Sequence, residues 1–267
     1  MAARVLHVSD LHAGRRETPE TLAALRDLAA RIEPELLLAT GDLSHRGRRD
    51  QLEQASAQLR ELGVPSLLAV PGNHDIPYTF PARFTRTYEE WQRAFGPTEP
   101  VYSSERLHVV GACSVQPWRQ QSGALSAEKL DRIEAALRRA PAGALRVVAL
   151  HHHLAAPPWR AARKRPLKHR DRALERLVAA GAELVATGHV HQGGVAERRE
   201  FEALEDGRPG SVVLTTVPGL GRPRPRRRGE ARGVNVYEAD AASLTVTTFA
   251  WDGSSFAETG RRMFRRR

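Results

Sequence analysis

Short apolar runs alternate with longer amphipathic stretches from the N-terminus to about residue 192, the pattern of β-strands alternating with α-helices. The runs predict strands at Val5 to Ser9, Leu36 to Thr40, Ser66 to Val70, Leu107 to Ala112, Val147 to Leu150 and Leu184 to Thr187. Helices are predicted between them. One opens at Thr18-Pro19 as cap and first residue, with Leu22, Leu25, Leu28 and Ile32 along one face. Others span Arg49 to Leu62 before Gly63, Ser126 to Arg139 behind a Ser126 cap, and Arg170 to Ala180 before Gly181, where glycine suits a left-handed helix end.

Beyond residue 192 the pattern changes to strand-like segments at Val212 to Val217, Val234 to Glu238 and Leu244 to Phe249, with no convincing helix. A βα half followed by an antiparallel half predicts an α/β protein of two packed sheets with helices outside, rather than one doubly wound sheet. Residues 219–228, rich in Pro, Gly and Arg, read as a loop. Phe80, Phe84, Tyr88, Trp91 and Phe95 recur at helical spacing and read as an aromatic core stripe in preference to a base-stacking wall. The chain reads as one domain over 1–258 with a solvated basic tail over 259–267.

Composition narrows the class. The 267 residues suffice for a sizeable core, and the single cysteine, Cys113, excludes an intramolecular disulfide framework. The first residues run into a strand with no signal-peptide pattern, and no segment is apolar enough to span a membrane, so the reading is soluble and cytoplasmic with no membrane partner. A net charge of +10 invites a nucleic-acid reading. That inference is weakened by the basis of the charge: of 41 Lys and Arg residues only Lys129, Lys164 and Lys168 are lysine, in a chain rich in alanine, as GC-rich coding produces. The basic clusters at 160–172, 222–228 and 261–267 are local.

Chemistry concentrates in five motifs: Asp10-Leu11-His12, Gly41-Asp42, Gly72-Asn73-His74-Asp75, His151-His152-His153 and Gly188-His189-Val190-His191. Each follows a predicted strand, where open α/β sheets gather ligands. Taken singly, each is matched by an ordinary turn or packing role; five donor clusters at five strand ends are not. Carboxylates, an amide oxygen and imidazoles without thiolate suit Mn²⁺, Fe or Zn²⁺ rather than a soft metal. Two aspartates and four or five histidines exceed the needs of one ion, whereas two divalent ions about 3.5–4 Å apart, sharing a carboxylate, account for them. Such a pair lowers the pKa of a shared water and neutralises charge on phosphoryl oxygens.

The order and wording of these motifs, across residues 10–191, resemble the calcineurin-like metallophosphoesterase superfamily, most closely its cyclic-nucleotide phosphodiesterase-like branch. The resemblance implies a four-layer αββα sandwich of two mixed sheets flanked by helices. It assigns Asp10, His12 and His191 to one metal, Asn73, His151 and His189 to the other, and Asp42 to both. It makes His74 the residue facing the leaving group or a phosphate oxygen, with Asp75 holding its imidazole. At the histidine triplet the register departs from the family, where proline follows closely; His151 directly follows the strand, and His152 remains an alternative. The implied activity is hydrolysis of phosphodiester bonds in a small substrate such as a cyclic nucleotide. The alternatives are a nuclease acting on DNA or RNA, and a non-catalytic interaction scaffold as in the superfamily's membrane-traffic branch. Phosphomonoester hydrolysis is compatible with the same centre. Trp159, behind Pro157-Pro158, and Arg222 and Arg224 are the candidates for substrate binding.

Overall fold

A computed structural model describes residues 2–15, 19–155, 164–203, 209–221 and 230–266, without side chains at 199–203 and 209–210. Trp159, Arg222 and Arg224 lie outside the described residues.

Two six-stranded mixed sheets form the centre. The first runs in the order β12-β11-β10-β1-β2-β3, from β1 (Ala3–Val8), β2 (Leu36–Ala39), β3 (Leu67–Ala69), β10 (Gly233–Ala239), β11 (Ser243–Trp251) and β12 (Phe256–Arg265). The second runs β4-β5-β6-β7-β9-β8, from β4 (Val101–Ser103), β5 (Leu107–Ala112), β6 (Leu145–Leu150), β7 (Leu184–Thr187), β8 (Gly194–Ala203) and β9 (Pro209–Thr216). β1, β2 and β3 are mutually parallel, as are β5, β6, β7 and β9; the outer strands are antiparallel.

The alternation of the strands explains the layers. Val5, Leu36, Leu38 and Val70 on one sheet meet Val109, Leu145, Val147 and Leu184 on the other, forming a dry core between sheets. Opposite faces carry Leu6, Val8, Leu37 and Ala39, packed under α1 (Pro19–Ile32), α2 (Arg49–Arg60) and α4 (Glu89–Phe95). Val110, Val148, Leu150 and Val185 pack under α5 (Ala127–Leu137) and α6 (Arg170–Ala179). With strands apolar on both faces and helices outside both sheets, the fold is the four-layer αββα sandwich. Pro19 opens α1, the Ser126 hydroxyl accepts from the Lys129 N–H at the start of α5, and Gly181 takes φ +86° after α6.

Two expectations are corrected. The solvated tail expected from 259 is instead β12, paired along β11 from Ser243↔Arg265 to Trp251↔Phe256. The aromatic stripe divides: α3 (Ala82–Thr85) and α4 are separate helices, Trp91 is buried and stacks on Phe95 at 4.6 Å, but Phe80 and Phe84 are 83% and 52% exposed. Only the second half of the stripe is core.

One polar bridge crosses the inter-sheet core. His7, fully buried, contacts the Tyr237 hydroxyl at 2.6 Å and Thr40 Oγ1 at 2.8 Å, and Tyr237 in turn reaches Thr215 Oγ1 at 2.7 Å. Burial, partly opposed by Asp10, lowers the His7 pKa to about 3. Folding therefore keeps this imidazole neutral while the unfolded chain takes a proton near pH 6.5, so its stabilising effect is intact above pH 6.5 and is lost as pH falls toward 3. The expected slope from this residue is about 1.4 kcal/mol per pH unit within that window. Urea midpoints measured from pH 7.5 to 4.5 should fall less steeply in His7→Gln than in the parent; equal slopes would contradict the assignment.

Candidate metal centre

Asp10 follows β1, Asp42 follows β2, Asn73 follows β3, His151 follows β6 and His189 follows β7, so parallel strands of both sheets deliver them to one end of the sandwich. The backbone there is unusual. Of the seven non-glycine residues with positive φ among those described, five are Asp10, His12, Asp42, His189 and His191, at φ 51–70°. L-residues enter this region only when surrounding contacts demand it, and such residues gather at functional sites.

The donors form two adjoining groups, Asp10 with His12 and His191, and Asp42 with His151 and His189. In the first, His191 Nε2 lies 3.2 Å from Asp10 Oδ1 and 3.5 Å from His12 Nε2. In the second, His151 Nε2 lies 3.1 Å from His189 Nδ1, 3.2 Å from Asn73 Oδ1 and 3.3 Å from Asp42 Oδ2. The groups are stitched together: His189 N–H donates to Asp10 Oδ2 at 3.0 Å, and Asp10 N–H donates to the Gly41 carbonyl at 2.9 Å. Every residue of the two implied ligand sets is thereby brought into one cluster.

The donor atoms suit cations. Asp10 Oδ1 and Asp42 Oδ2 are buried and accept no hydrogen bond, as is His189 Nε2; buried carboxylate oxygens left this way are costly unless a positive charge sits among them. The Thr40 carbonyl holds His151 Nδ1 at 2.8 Å, which requires a proton there and turns Nε2 toward the cluster. Burial pushes against ionisation of Asp42, but His151 and His74 outweigh it and hold the carboxylate well below its usual range. Burial likewise opposes charge on His151, but Asp42 lifts its pKa to about 9. Asp10 is lowered in the same way, its burial outweighed by His191. Where Asp42 faces His151 the site favours positive charge, which metal binding would supply.

Of the histidine triplet, only His151 points into the cluster. His152 Nδ1 meets Ser114 Oγ at 2.8 Å, and His153 stacks on His189 at 5.8 Å. Both rings instead back the His189 ring.

His74 borders the first group, its ring 4.8 Å from that of His12. Its N–H donates to Asp42 Oδ1 at 2.7 Å. The implied partnership with Asp75 is not formed. Asp75 accepts from Ser44 N–H and Oγ at 2.7 and 3.0 Å and from Gly72 N–H at 2.8 Å, tying two loops together. The imidazole Nδ1 of His74 instead meets the His45 carbonyl at 2.9 Å and the Tyr78 hydroxyl at 2.8 Å. Burial and the charge of Asp42 raise the Asp75 pKa to about 6. The short loop has this carboxylate collect three donors from Ser44 and Gly72, and the ring turns to the His45 carbonyl instead.

The motifs did not reveal several supporting residues. Ser9 Oγ donates to Asp10 Oδ2 at 2.7 Å, and Lys164 Nζ donates to the His189 carbonyl at 2.6 Å. Ser9 immediately precedes a motif and Lys164 lies in a basic run, but nothing in local sequence aims either one.

Backbone contact sets the spacing of the loops. A Cβ on Gly72 would lie 2.2 Å from Asp42 N and 2.3 Å from Asp42 Oδ1. Gly72→Ala should therefore displace Asp42, costing about 1–3 kcal/mol of stability and a larger share of turnover. Melting temperature and turnover measured together test this; full activity at an unchanged melting temperature would contradict it.

Comparisons with known proteins identify the family and the fold. Residues 3–193 match the calcineurin-like phosphoesterase family. The chain belongs to this family. It is 31% identical over 161 residues to a probable cyclic nucleotide phosphodiesterase of Synechococcus sp., a match covering 57% of this chain and 58% of that protein. The chain thus spans less than two-thirds of that relative's length. Among solved structures, purple acid phosphatase PPD1 from yellow lupin superposes with a TM-score of 0.71 at 14% identity, covering all of this chain and 54% of that one. Vacuolar Protein Sorting 29 from Cryptosporidium parvum superposes with a TM-score of 0.54 at 12% identity, covering both chains fully. These two share the fold.

Proposed function

We propose that this phosphoesterase is a dinuclear metal-dependent phosphodiesterase acting on a small substrate, a cyclic nucleotide among the candidates. The observation that carries the reading is the pair of adjoining donor groups with buried carboxylate oxygens that accept no hydrogen bond. Asp10, His12 and His191 would hold one ion, Asn73, His151 and His189 the other, and Asp42 would bridge them. The donor set of carboxylate, amide and imidazole favours Mn²⁺ or Fe, with Zn²⁺ also suited. When bound, the pair would activate a water for attack on phosphorus and neutralise phosphoryl charge.

The chain's own residues supply proton transfer and position. The His45 carbonyl can only accept, so its contact requires a proton on His74 Nδ1. That leaves His74 Nε2 to carry the proton delivered to the departing oxygen, with the carbonyl stabilising the imidazolium beforehand. Asp42 fixes the backbone of His74, which places this acid beside the metal donors. Asp75 acts one step away, by holding the loop that carries Asn73 and His74.

The diesterase reading draws on the name of the Synechococcus relative. A nuclease would use the same centre, and the scaffold reading draws on the fold shared with the sorting protein. Against the scaffold stands a complete donor set with His74 in place. Among the described residues no helix is long and apolar enough to cross a membrane. The test is turnover of bis(p-nitrophenyl) phosphate, p-nitrophenyl phosphate, cyclic AMP and single-stranded DNA with and without Mn²⁺. Metal-dependent hydrolysis of bis(p-nitrophenyl) phosphate and cyclic AMP is expected. Rapid DNA cleavage with inert cyclic AMP would move the assignment to a nuclease, and no hydrolysis by metal-loaded protein would move it to a scaffold.

A further inference from the structure

We infer that a second anion subsite adjoins the metal centre, walled by His45, Arg15, Arg46 and Arg48, and that it selects small phosphodiesters carrying an additional phosphate. The inference rests on the phosphodiesterase reading and names its substrate class.

Two loops build the wall. Ala13 N–H donates to the Leu43 carbonyl at 2.8 Å, His45 N–H donates to the Ala13 carbonyl at 3.0 Å, and Arg15 N–H turns back on His12 at 3.2 Å. The loop after β1 is thereby stitched to the loop after β2, so Arg15 and Arg46 emerge immediately beyond His12 and His45. A ring nitrogen of His45 lies within 4.8 Å of one from His12 and one from His74, and its ring stacks 5.9 Å from that of His74. His45 Nδ1 is buried with no hydrogen-bond partner, next to the edge where the arginines begin.

Charge decides what this wall receives. Three imidazoles within reach of one another would ordinarily suggest a third cation. Here Arg15, Arg46 and Arg48 are exposed, and among the described residues no carboxylate pairs with any of them. Arg46 directly follows His45, and Arg15 and Arg48 stand three residues beyond His12 and His45 on the two stitched loops. Arg48 stands at the N-cap of α2, where no side chain caps the helix and the backbone adds positive character. Asp50, exposed in the first turn of α2, is the acidic residue nearest in sequence to Arg48. A cation is repelled by this surface. An anion is attracted, and guanidinium groups match phosphate oxygens in shape as well as charge.

A cyclic mononucleotide bears one phosphate and leaves the wall without a partner. A short linear diester with a terminal phosphate fills both places. The test compares adenylyl-(3′,5′)-adenosine with its 5′-phosphorylated form, using Mn²⁺-loaded enzyme. The phosphorylated form should show about tenfold higher kcat/KM, expressed in KM and shrinking as salt is raised. In Arg15→Gln/Arg46→Gln the preference should fall to about twofold or less, while turnover of bis(p-nitrophenyl) phosphate stays near the parent value. Equal use of both dinucleotides by the parent enzyme, or an undiminished preference in the double variant, would overturn the inference. A single-stranded oligonucleotide with higher kcat/KM than the phosphorylated dinucleotide would overturn the restriction to small substrates. Equilibrium dialysis separates the subsite from the reaction: adenosine 3′,5′-bisphosphate should bind the parent more tightly than adenosine 3′-monophosphate, and the double variant should lose the difference. That result would stand even if neither dinucleotide were hydrolysed, and equal binding of both nucleotides by the parent would overturn the subsite.

Discussion

Replacing Asp42 by alanine or asparagine is expected to remove bound metal and to lower turnover by at least about a thousandfold. Asp42 is fully buried, and its two oxygens have different partners: Oδ1 accepts from the His74 N–H and Oδ2 faces His151 Nε2 at 3.3 Å. Asparagine preserves the shape and keeps an oxygen for His74, but it removes the charge that draws cations and lifts the His151 pKa to about 9. Loss in both variants would therefore assign the effect to charge, whereas loss in alanine alone would assign it to loop geometry. Metal content by elemental analysis, melting temperature and turnover form the measurement. A folded Asp42→Asn protein with two metals and parental turnover would refute the bridging role.

His74→Ala is expected to retain both metals and lose about 10²- to 10³-fold in turnover, within the range of a positioned general acid. His74 lies beside the donor groups, and its side chain is absent from the two sets proposed to bind metal. The loss should depend on the leaving group. An alkoxide needs a proton as it departs, so hydrolysis of a dialkyl diester should suffer most. A p-nitrophenolate leaves as a stable anion, so bis(p-nitrophenyl) phosphate should suffer least. A uniform loss across leaving groups would show that His74 binds phosphate oxygen instead of donating a proton.

The strands that the hydrophobic pattern predicted include the most deeply buried: β1, β2, β5, β6 and β7 are buried along nearly their whole length, since each lies between its neighbours, the other sheet and a helix. The apolar run is legible although Arg4, His7, His108 and Arg146 interrupt it; β3, β9, β10 and β11 were legible as well. The strands that the pattern missed, β4, β8 and β12, all lie at sheet edges. Edge strands escape burial on one side and carry charge that discourages pairing with other chains, as in β8, Gly-Val-Ala-Glu-Arg-Arg-Glu-Phe-Glu-Ala. The same physics explains the C-terminal segment. Its arginines suggest a solvated tail, yet Phe256 and Phe264 anchor it in the core and Arg266 pairs with Glu183.

By itself the sequence determined the kind of chemistry: which donor types exist, that they follow strand ends, and that they suit hard or borderline cations without thiolate. Donor type is a property of each residue, and strand-end placement follows from local periodicity. The tertiary structure alone decided how the rings are aimed. His151 rather than His152 faces the cluster because the Thr40 carbonyl, 111 positions away, holds its Nδ1. His74 is oriented by the His45 carbonyl and Tyr78, while Asp75 binds Ser44 and Gly72. Orientation depends on hydrogen bonds between residues distant in the chain, and the folded loops alone bring those partners together.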